Sequence, residues 1–304
     1  MAIRTRSYNW EEDLDLARTF FIETYKLANS FQHWVPTRFE NEVFNDAECG
    51  QRIRIWEIQD QSSGTASSKI VAMAILNPPS YYTVHSHPDF KFLEKEIIAW
   101  VEQRWKQTAE DTKEALKINT FALGTDKERI ALLSTLGYQN IGLYEYSRTR
   151  PDNAAILEHS LPAGFNIRNI QGEDDYPNLI EGIALVFNHN LFTEEVYRLM
   201  MKTSFYNQEL DLVAIAPNGA IAAFCMVRID PVSKIAEFEP VGTLPKYREL
   251  GLAKALMIEG LERAVKYQPS SFYIGAATHE AANRLYESLG FTDKIEVFQW
   301  QKRI

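Results

Sequence analysis

The sequence has little cysteine, no long apolar run and no concentration of basic charge, and each lack removes a class of protein. Its 304 residues include two cysteines, Cys49 and Cys225, far apart and without a C-x-x-C spacing. That argues against a disulfide framework and fits a reducing compartment. No stretch approaches the length of a membrane span, and the start, M-A-I-R-T-R-S-Y-N-W, lacks an apolar targeting core. A soluble cytoplasmic protein with no membrane partner is expected. Lysine and arginine number 32 against 41 acidic residues, a formal charge of −9. Divided at Arg150, the halves carry 18 − 21 = −3 and 14 − 20 = −6. Without a basic tract, a nucleic-acid partner would lack its usual electrostatic footprint. An acidic surface mildly favours small cationic partners such as amines.

What is present is enough for two ordinary domains. The chain is 45% hydrophobic and 24% charged, as globular proteins are. The segment from Arg150 to Gly164, R-P-D-N-A-A-I-L-E-H-S-L-P-A-G, carries two prolines and ends in glycine. The expected division is residues 1–150, a linker at 151–164, and residues 165–304. Gln61 to Lys69 reads as a serine-rich hairpin tip. Beyond the linker, alternation and caps predict the order β-α-α-β-β-β-α-β-α-β, a mixed sheet with helices on both faces. Thr193 opens one helix as a capping residue, and Pro217-Asn218-Gly219 turns a hairpin. Arg248 to Tyr267 is strongly amphipathic, with Leu256, Gly260, Leu261 and Ala264 on one stripe and Lys254, Glu262 and Lys266 opposite.

Between the strand at Ile235 and that helix lies V-G-T-L-P-K-Y-R-E-L-G-L-A-K-A-L. A strand running into a helix N-terminus leaves unpaired N–H groups and a positive dipole end, which together suit an anion. Gly251 and Ala253 keep side-chain bulk from those amides, while Arg248 and Lys254 add positive charge. Here the sequence resembles the GNAT superfamily of N-acetyltransferases, whose signature Q/R-x-x-G-x-G/A is filled by Arg248, Gly251 and Ala253. A second element, A-A-N-R-L-Y-E-S-L-G-F from Ala281 to Phe291, is similar to the family's L-Y-x-x-x-G-F. Pro245 and Gly290 stand 45 residues apart, room for the intervening helix, strand and helix.

The resemblance implies an acetyl-CoA site. Val241, Gly242 and Thr243 would face the pantetheine and thioester, with the Val241 N–H as oxyanion donor. Arg248, Glu249, Leu250, Gly251, Leu252, Ala253 and Lys254 would hold the pyrophosphate. Glu249 departs from the usual glycine. His279 stands where many members place an asparagine, a contact Asn283 could assume. Glu237 and Glu239, on one face of the preceding strand by its period of two, are candidate general bases. Tyr286 is the candidate acid for the leaving thiolate. Cys225, among apolar neighbours, reads as inert core. His85 and His87 read as a solvated loop before Pro88, and His189 could border the acceptor.

The first half echoes the second. F-A-L-G-T-D-K-E-R-I-A-L-L-S-T-L-G-Y sets Gly137 on Gly290, Tyr138 on Phe291 and Leu133 on Tyr286. Lys91, Glu94 and Glu96 then replace Arg248, Gly251 and Ala253, placing carboxylates where a pyrophosphate would lie. Tandem GNAT-like α/β folds are therefore expected, the first without a CoA site. Its aromatic-rich segment, Phe20 to Phe44, would either wall an acceptor pocket or form a core stripe. The expected activity is direct transfer of an acetyl group from acetyl-CoA to a small-molecule primary amine. A longer acyl donor and a non-catalytic acyl-CoA-binding module are the alternatives.

Overall fold

The computed structural model describes residues 2–28, 34–44, 49–60, 67–77, 80–112 and 117–304. The chain forms two compact units, Met1–Tyr146 with Ile295–Ile304, and Ser147–Lys294. The division expected from sequence is thereby corrected at both ends. The last strand belongs to the first unit because Val297–Arg303 pairs antiparallel with Lys117–Leu123. Residues 147–164 belong to the second unit, and 151–164 is no free linker. The buried Arg150 guanidinium donates to the carbonyls of Pro151, Ala154, Ala155 and Leu289, pinning the segment.

The first unit runs β1 (Ile3–Ser7), α1 (Trp10–Ala28), α2 (Pro36–Val43), a short α3 (Cys49–Arg52), β2 (Ile53–Asp60), β3 (Ser67–Asn77) and β4 (Tyr81–Ser86). A 3₁₀ turn leads into α4 (Glu94–Thr112), followed by β5 (Lys117–Leu123), α5 (Lys127–Thr135) and β6 (Gln139–Arg150), which from Ser147 onward belongs to the second unit. β1 to β4 form an antiparallel meander, and β4 meets β5 in parallel at Tyr81 and Asn119. One core packs Phe20, Phe21 and Phe39 onto the sheet; another packs Ile97, Val101 and Trp105 of α4. Where it is described, the aromatic-rich segment is thus core. The expected hairpin tip lies largely outside the described residues, though Asp60 pairs with Ser67 at its base. His85 and His87 are buried, not solvated as expected. Cores cover both faces of this sheet, so both residue parities of β4 are shielded, and His85 packs edge-on to Phe21.

The second unit repeats the order: β7 (Asn166–Asn169), α6 (Tyr176–Phe187), α7 (Glu194–Met200), β8 (Asp211–Ile215), β9 (Ile221–Ile229) and β10 (Ile235–Thr243). Then come α8 (Leu252–Ala264), β11 (Ser271–Ala277) and α9 (Glu280–Ser288), and the last strand, β12 (Asp293–Arg303), belongs from Ile295 to the first unit. Thr193 caps α7 by accepting from the Val196 N–H at 3.2 Å. Phe238 of β10 packs beneath Gly260 of α8 and against Phe272 and Phe291, so the amphipathic stripe of α8 closes this core.

The two units share details as fine as single hydrogen bonds. Gly137 and Gly290 end α5 and α9 with φ of 86° and 87°, the left-handed region that glycine enters without a Cβ clash. Tyr138 then donates to the Leu133 carbonyl at 3.0 Å, and Phe291 to Tyr286 at 3.1 Å. A second correspondence lies at the unit starts. Arg6 grips Asp13 through both terminal nitrogens, and Arg168 grips Asp175 in the same way. Each aspartate also accepts a backbone N–H four residues before it.

Candidate active site

The second unit's site begins where β10 stops behaving as a regular strand. β10 pairs antiparallel with β9, but the register slips between Phe238 and Val241, across a cis Glu239–Pro240 bond. Against β11 it pairs in parallel at Ile235, Ala236 and Glu237 and, among the described residues, no further. Beyond Glu237 the two strands part, so backbone groups of β10 that a regular ladder would use face a slot. Pro240 sits at the slip, where no ladder donor is required. Gly242 is there for a different reason. A Cβ on it would lie 2.4 Å from the Phe224 ring, which crosses β10 at that point.

The slot leads to the start of α8. Gly251 occupies the N-cap position at φ 76° and offers no side-chain cap. The first helical bond runs from Ala255 N–H to the Gly251 carbonyl, so the amides of Leu252, Ala253 and Lys254 have no acceptor within the helix. A Cβ on Gly251 would meet nothing within 4 Å, so the space before these amides is open. Arg248, Gly251 and Lys254 are exposed, and the Arg248 Nε reaches back to the Thr243 carbonyl at 3.4 Å. Glu249 also adopts a positive φ, 65°. That backbone explains why glycine suits the position, and Glu249 bears a strain of about 1–2 kcal/mol there. Its carboxylate is exposed to solvent. A dipole end, open amides and flanking cations fit a pyrophosphate.

The expected catalytic groups have distinct surroundings. Glu237 is fully buried and stands opposite Arg228 in the β9 ladder. Glu239 is half-buried, and its carboxylate, after burial itself, raises the pKa of Tyr286 above the usual phenol range. Tyr286 on α9 is nearly buried, its ring edge-on to Phe291. The Glu239 carboxylate thus acts electrostatically on Tyr286, and Glu237 is set deeper. Cys225 is buried in the core, which drives its thiol pKa upward, as expected of an inert cysteine.

Asn283 is turned inward instead of toward the slot. Its Oδ1 accepts from Arg148 Nε at 3.0 Å and its Nδ2 donates to the His279 carbonyl at 3.0 Å. Arg148 is itself buried and also donates to the Phe291 carbonyl and Glu287. It locks α9, and so Tyr286, in place from below. Arg148→Ala should cost about 3–5 kcal/mol, because buried acceptors lose their charged donor. Urea unfolding followed by far-UV circular dichroism measures this; a loss under 1 kcal/mol would mean the network contributes little.

Sequence reasoning missed a buried group that shares a small cavity with Pro240. Asp211 accepts from the hydroxyls of Tyr197 and, at 3.2 Å, Tyr206. Burial pushes its pKa up to about 6 against those bonds and the nearby Arg228. Asp211, Phe192, Phe224 and Pro240 line a cavity of about 10 Å³. A strand-edge aspartate followed by apolar residues gave no signal, since its partners come from α7 and the loop after it. His189, weighed as an acceptor-site residue, is exposed, its ring stacked on Phe187.

Residues 178–291 match the sequence model of the acetyltransferase (GNAT) family. That segment, a little over a third of the chain, is therefore similar to GNAT acetyltransferases. Solved structures extend the likeness of fold over the whole chain. A GCN5-related N-acetyltransferase from Sphaerobacter thermophilus is 15% identical with a TM-score of 0.72, covering 99% of this chain and 95% of that one. A tandem GNAT protein of the clavulanic acid biosynthesis pathway is 11% identical with a TM-score of 0.66, covering 99% and 98%. An N-myristoyltransferase from Saccharomyces cerevisiae, with bound myristoyl-CoA, is 11% identical with a TM-score of 0.61, covering 99% and 79%. A search of curated proteins by sequence returns no match. The chain thus has two tandem GNAT-like folds. Among the described residues, no helix is long and apolar enough to cross a membrane.

Proposed function

We propose that the second unit transfers an acetyl group from acetyl-CoA to a small-molecule primary amine, by direct attack with both substrates bound. The observation that carries this is the uncapped α8 N-terminus at the end of the β10–β11 slot, with Glu239 and Tyr286 beside the strand slip. The open amides of Leu252, Ala253 and Lys254, with Arg248, hold the pyrophosphate. The backbone of Val241 and Thr243 aligns the pantetheine, and the Val241 N–H stabilises the oxyanion. As the amine nitrogen bonds to the thioester carbon, Glu239 takes the nitrogen's proton. Tyr286 gives its proton to the sulfur as the C–S bond breaks. Burial and Glu239 hold the Tyr286 pKa above the usual phenol range, so the hydroxyl carries its proton when the thiolate departs.

Glu237, buried opposite Arg228, is the weaker base candidate and better suited to holding β9 and β10 in charge balance. Glu239→Gln should lower kcat/KM for an amine about a hundred-fold at pH 7. Part of the loss should return at high pH, where more amine is already neutral. The test is a screen of amines for CoA thiol release, followed by pH profiles of the two glutamine variants. Full activity of Glu239→Gln across pH, with Glu237→Gln impaired in kcat and still folded, would transfer the role to Glu237.

The first unit is proposed to bind no CoA. At the start of α4, where α8 opens to solvent, Glu94 is buried and grips Arg129 through both carboxylate oxygens. Lys91 pairs with Asp126 at 2.7 Å, and Glu96 accepts from the Trp56 indole N–H at 3.1 Å. The space for a pyrophosphate is filled from within. Glu94 is thus a poor probe of catalysis, since cutting a buried pair destabilises the unit by itself.

A further inference from the structure

A cleft of about 490 Å³ in the first unit is lined by Arg54, Trp100, Arg104 and the side-chain amides of Gln51, Gln103 and Gln107. That volume is in the range of small-molecule sites. Among the described residues no carboxylate lines it, in a chain of net charge −9. Arg54 is held ready by its neighbours. Its Nε donates to the Thr5 hydroxyl at 2.8 Å, and its guanidinium lies 5.4 Å over the Trp100 ring. Trp100 is in turn fixed edge-on by Trp56, whose indole N–H is anchored to Glu96. The two terminal nitrogens of Arg54 have no protein partner among the described residues.

Nearby acids are committed elsewhere. Glu57, on the same strand, serves Arg6; Glu96 serves Trp56; Glu102, on α4, serves Lys302. The described residues therefore orient a planar fork and occupy the acids around it without supplying its counterion. We propose that this cleft binds a small multiply charged oxyanion, a phosphate ester or a polycarboxylate, with Arg54 as the bidentate contact. A guanidinium fork matches the paired oxygens of either group, and the flanking amides donate to the rest. The site is separate from the α8 N-terminus and does not depend on the acetyl-transfer reading.

The experiment titrates inorganic phosphate and, separately, citrate into the full chain at ionic strength held constant with chloride. Calorimetry and tryptophan fluorescence are both read. One saturable site per chain is expected for at least one anion, and which of the two binds more tightly separates the two sources. Arg54→Gln should weaken it about ten-fold or more, with the acetyl-CoA dissociation constant unchanged. Gly251→Glu should leave the anion site intact. Arg54 is half-exposed, so its substitution spares the core. No saturable binding of either anion beyond the chloride control, or equal affinity in Arg54→Gln, would overturn the proposal.

Discussion

Gly251→Glu should abolish acetyl-CoA binding while the chain stays folded. Gly251 stands at φ 76° at the mouth of α8, facing open space, so the new side chain meets no packed neighbour. The cost of a left-handed Cβ is about 1–2 kcal/mol, partly offset because a carboxylate at a helix N-terminus is favourable by about 0.3–1 kcal/mol. The same carboxylate covers the amides of Leu252 to Lys254 and repels a pyrophosphate. Calorimetry should show the dissociation constant raised at least about a hundred-fold, with an unfolding midpoint near that of the parent. Unchanged affinity would remove the α8 N-terminus from the cofactor site.

Tyr286→Phe should lower kcat about ten- to a thousand-fold, the range of lost general acid catalysis, with little change in acetyl-CoA affinity. Removing one hydroxyl keeps the ring against Phe291, so the fold is spared. The pH dependence has a defined sign. Burial and Glu239 raise the Tyr286 pKa, so the parent enzyme holds this proton beyond the ordinary phenol range near pH 10. Tyr286 should therefore contribute no alkaline fall in kcat at or below that pH. Single-turnover rates isolate the chemical step; an unaltered rate in the phenylalanine variant would return Tyr286 to a packing role.

The fold was legible wherever a residue type is tied to a local backbone need. Gly137 and Gly290 end their helices in the same left-handed turn, so aligning two glycines found the repeat. R-x-x-x-x-E-x-D, spanning Arg6 to Asp13 and again Arg168 to Asp175, was an equally local signal that went unread. The unit boundaries were hidden because alternation identifies a strand without naming its neighbour. β12 pairs with β5 across more than 170 residues of sequence, and nothing in V-F-Q-W-Q-K-R announces that partner. Arg150 likewise looked like the start of a linker, since the carbonyls that bury it belong to main chain.

The candidate site divides along the same line. Arg248, Gly251 and Ala253 follow from the chemistry of a helix N-terminus, which sequence shows directly. Glu249 looked like a misplaced charge, whereas its left-handed backbone is what ties the position to glycine. The family resemblance points Asn283 toward a ligand, but the buried Arg148, more than 130 residues earlier, claims its oxygen. Asp211 was invisible because its burial and its two tyrosine donors arise only from tertiary packing.

The central claim, one acyl-CoA site in the second unit and none in the first, is tested most directly by titrating acetyl-CoA into the full chain by calorimetry. One molecule per chain is predicted, with the binding lost in Gly251→Glu and retained in Glu96→Gln. Two molecules per chain, or binding that survives Gly251→Glu, would contradict the account.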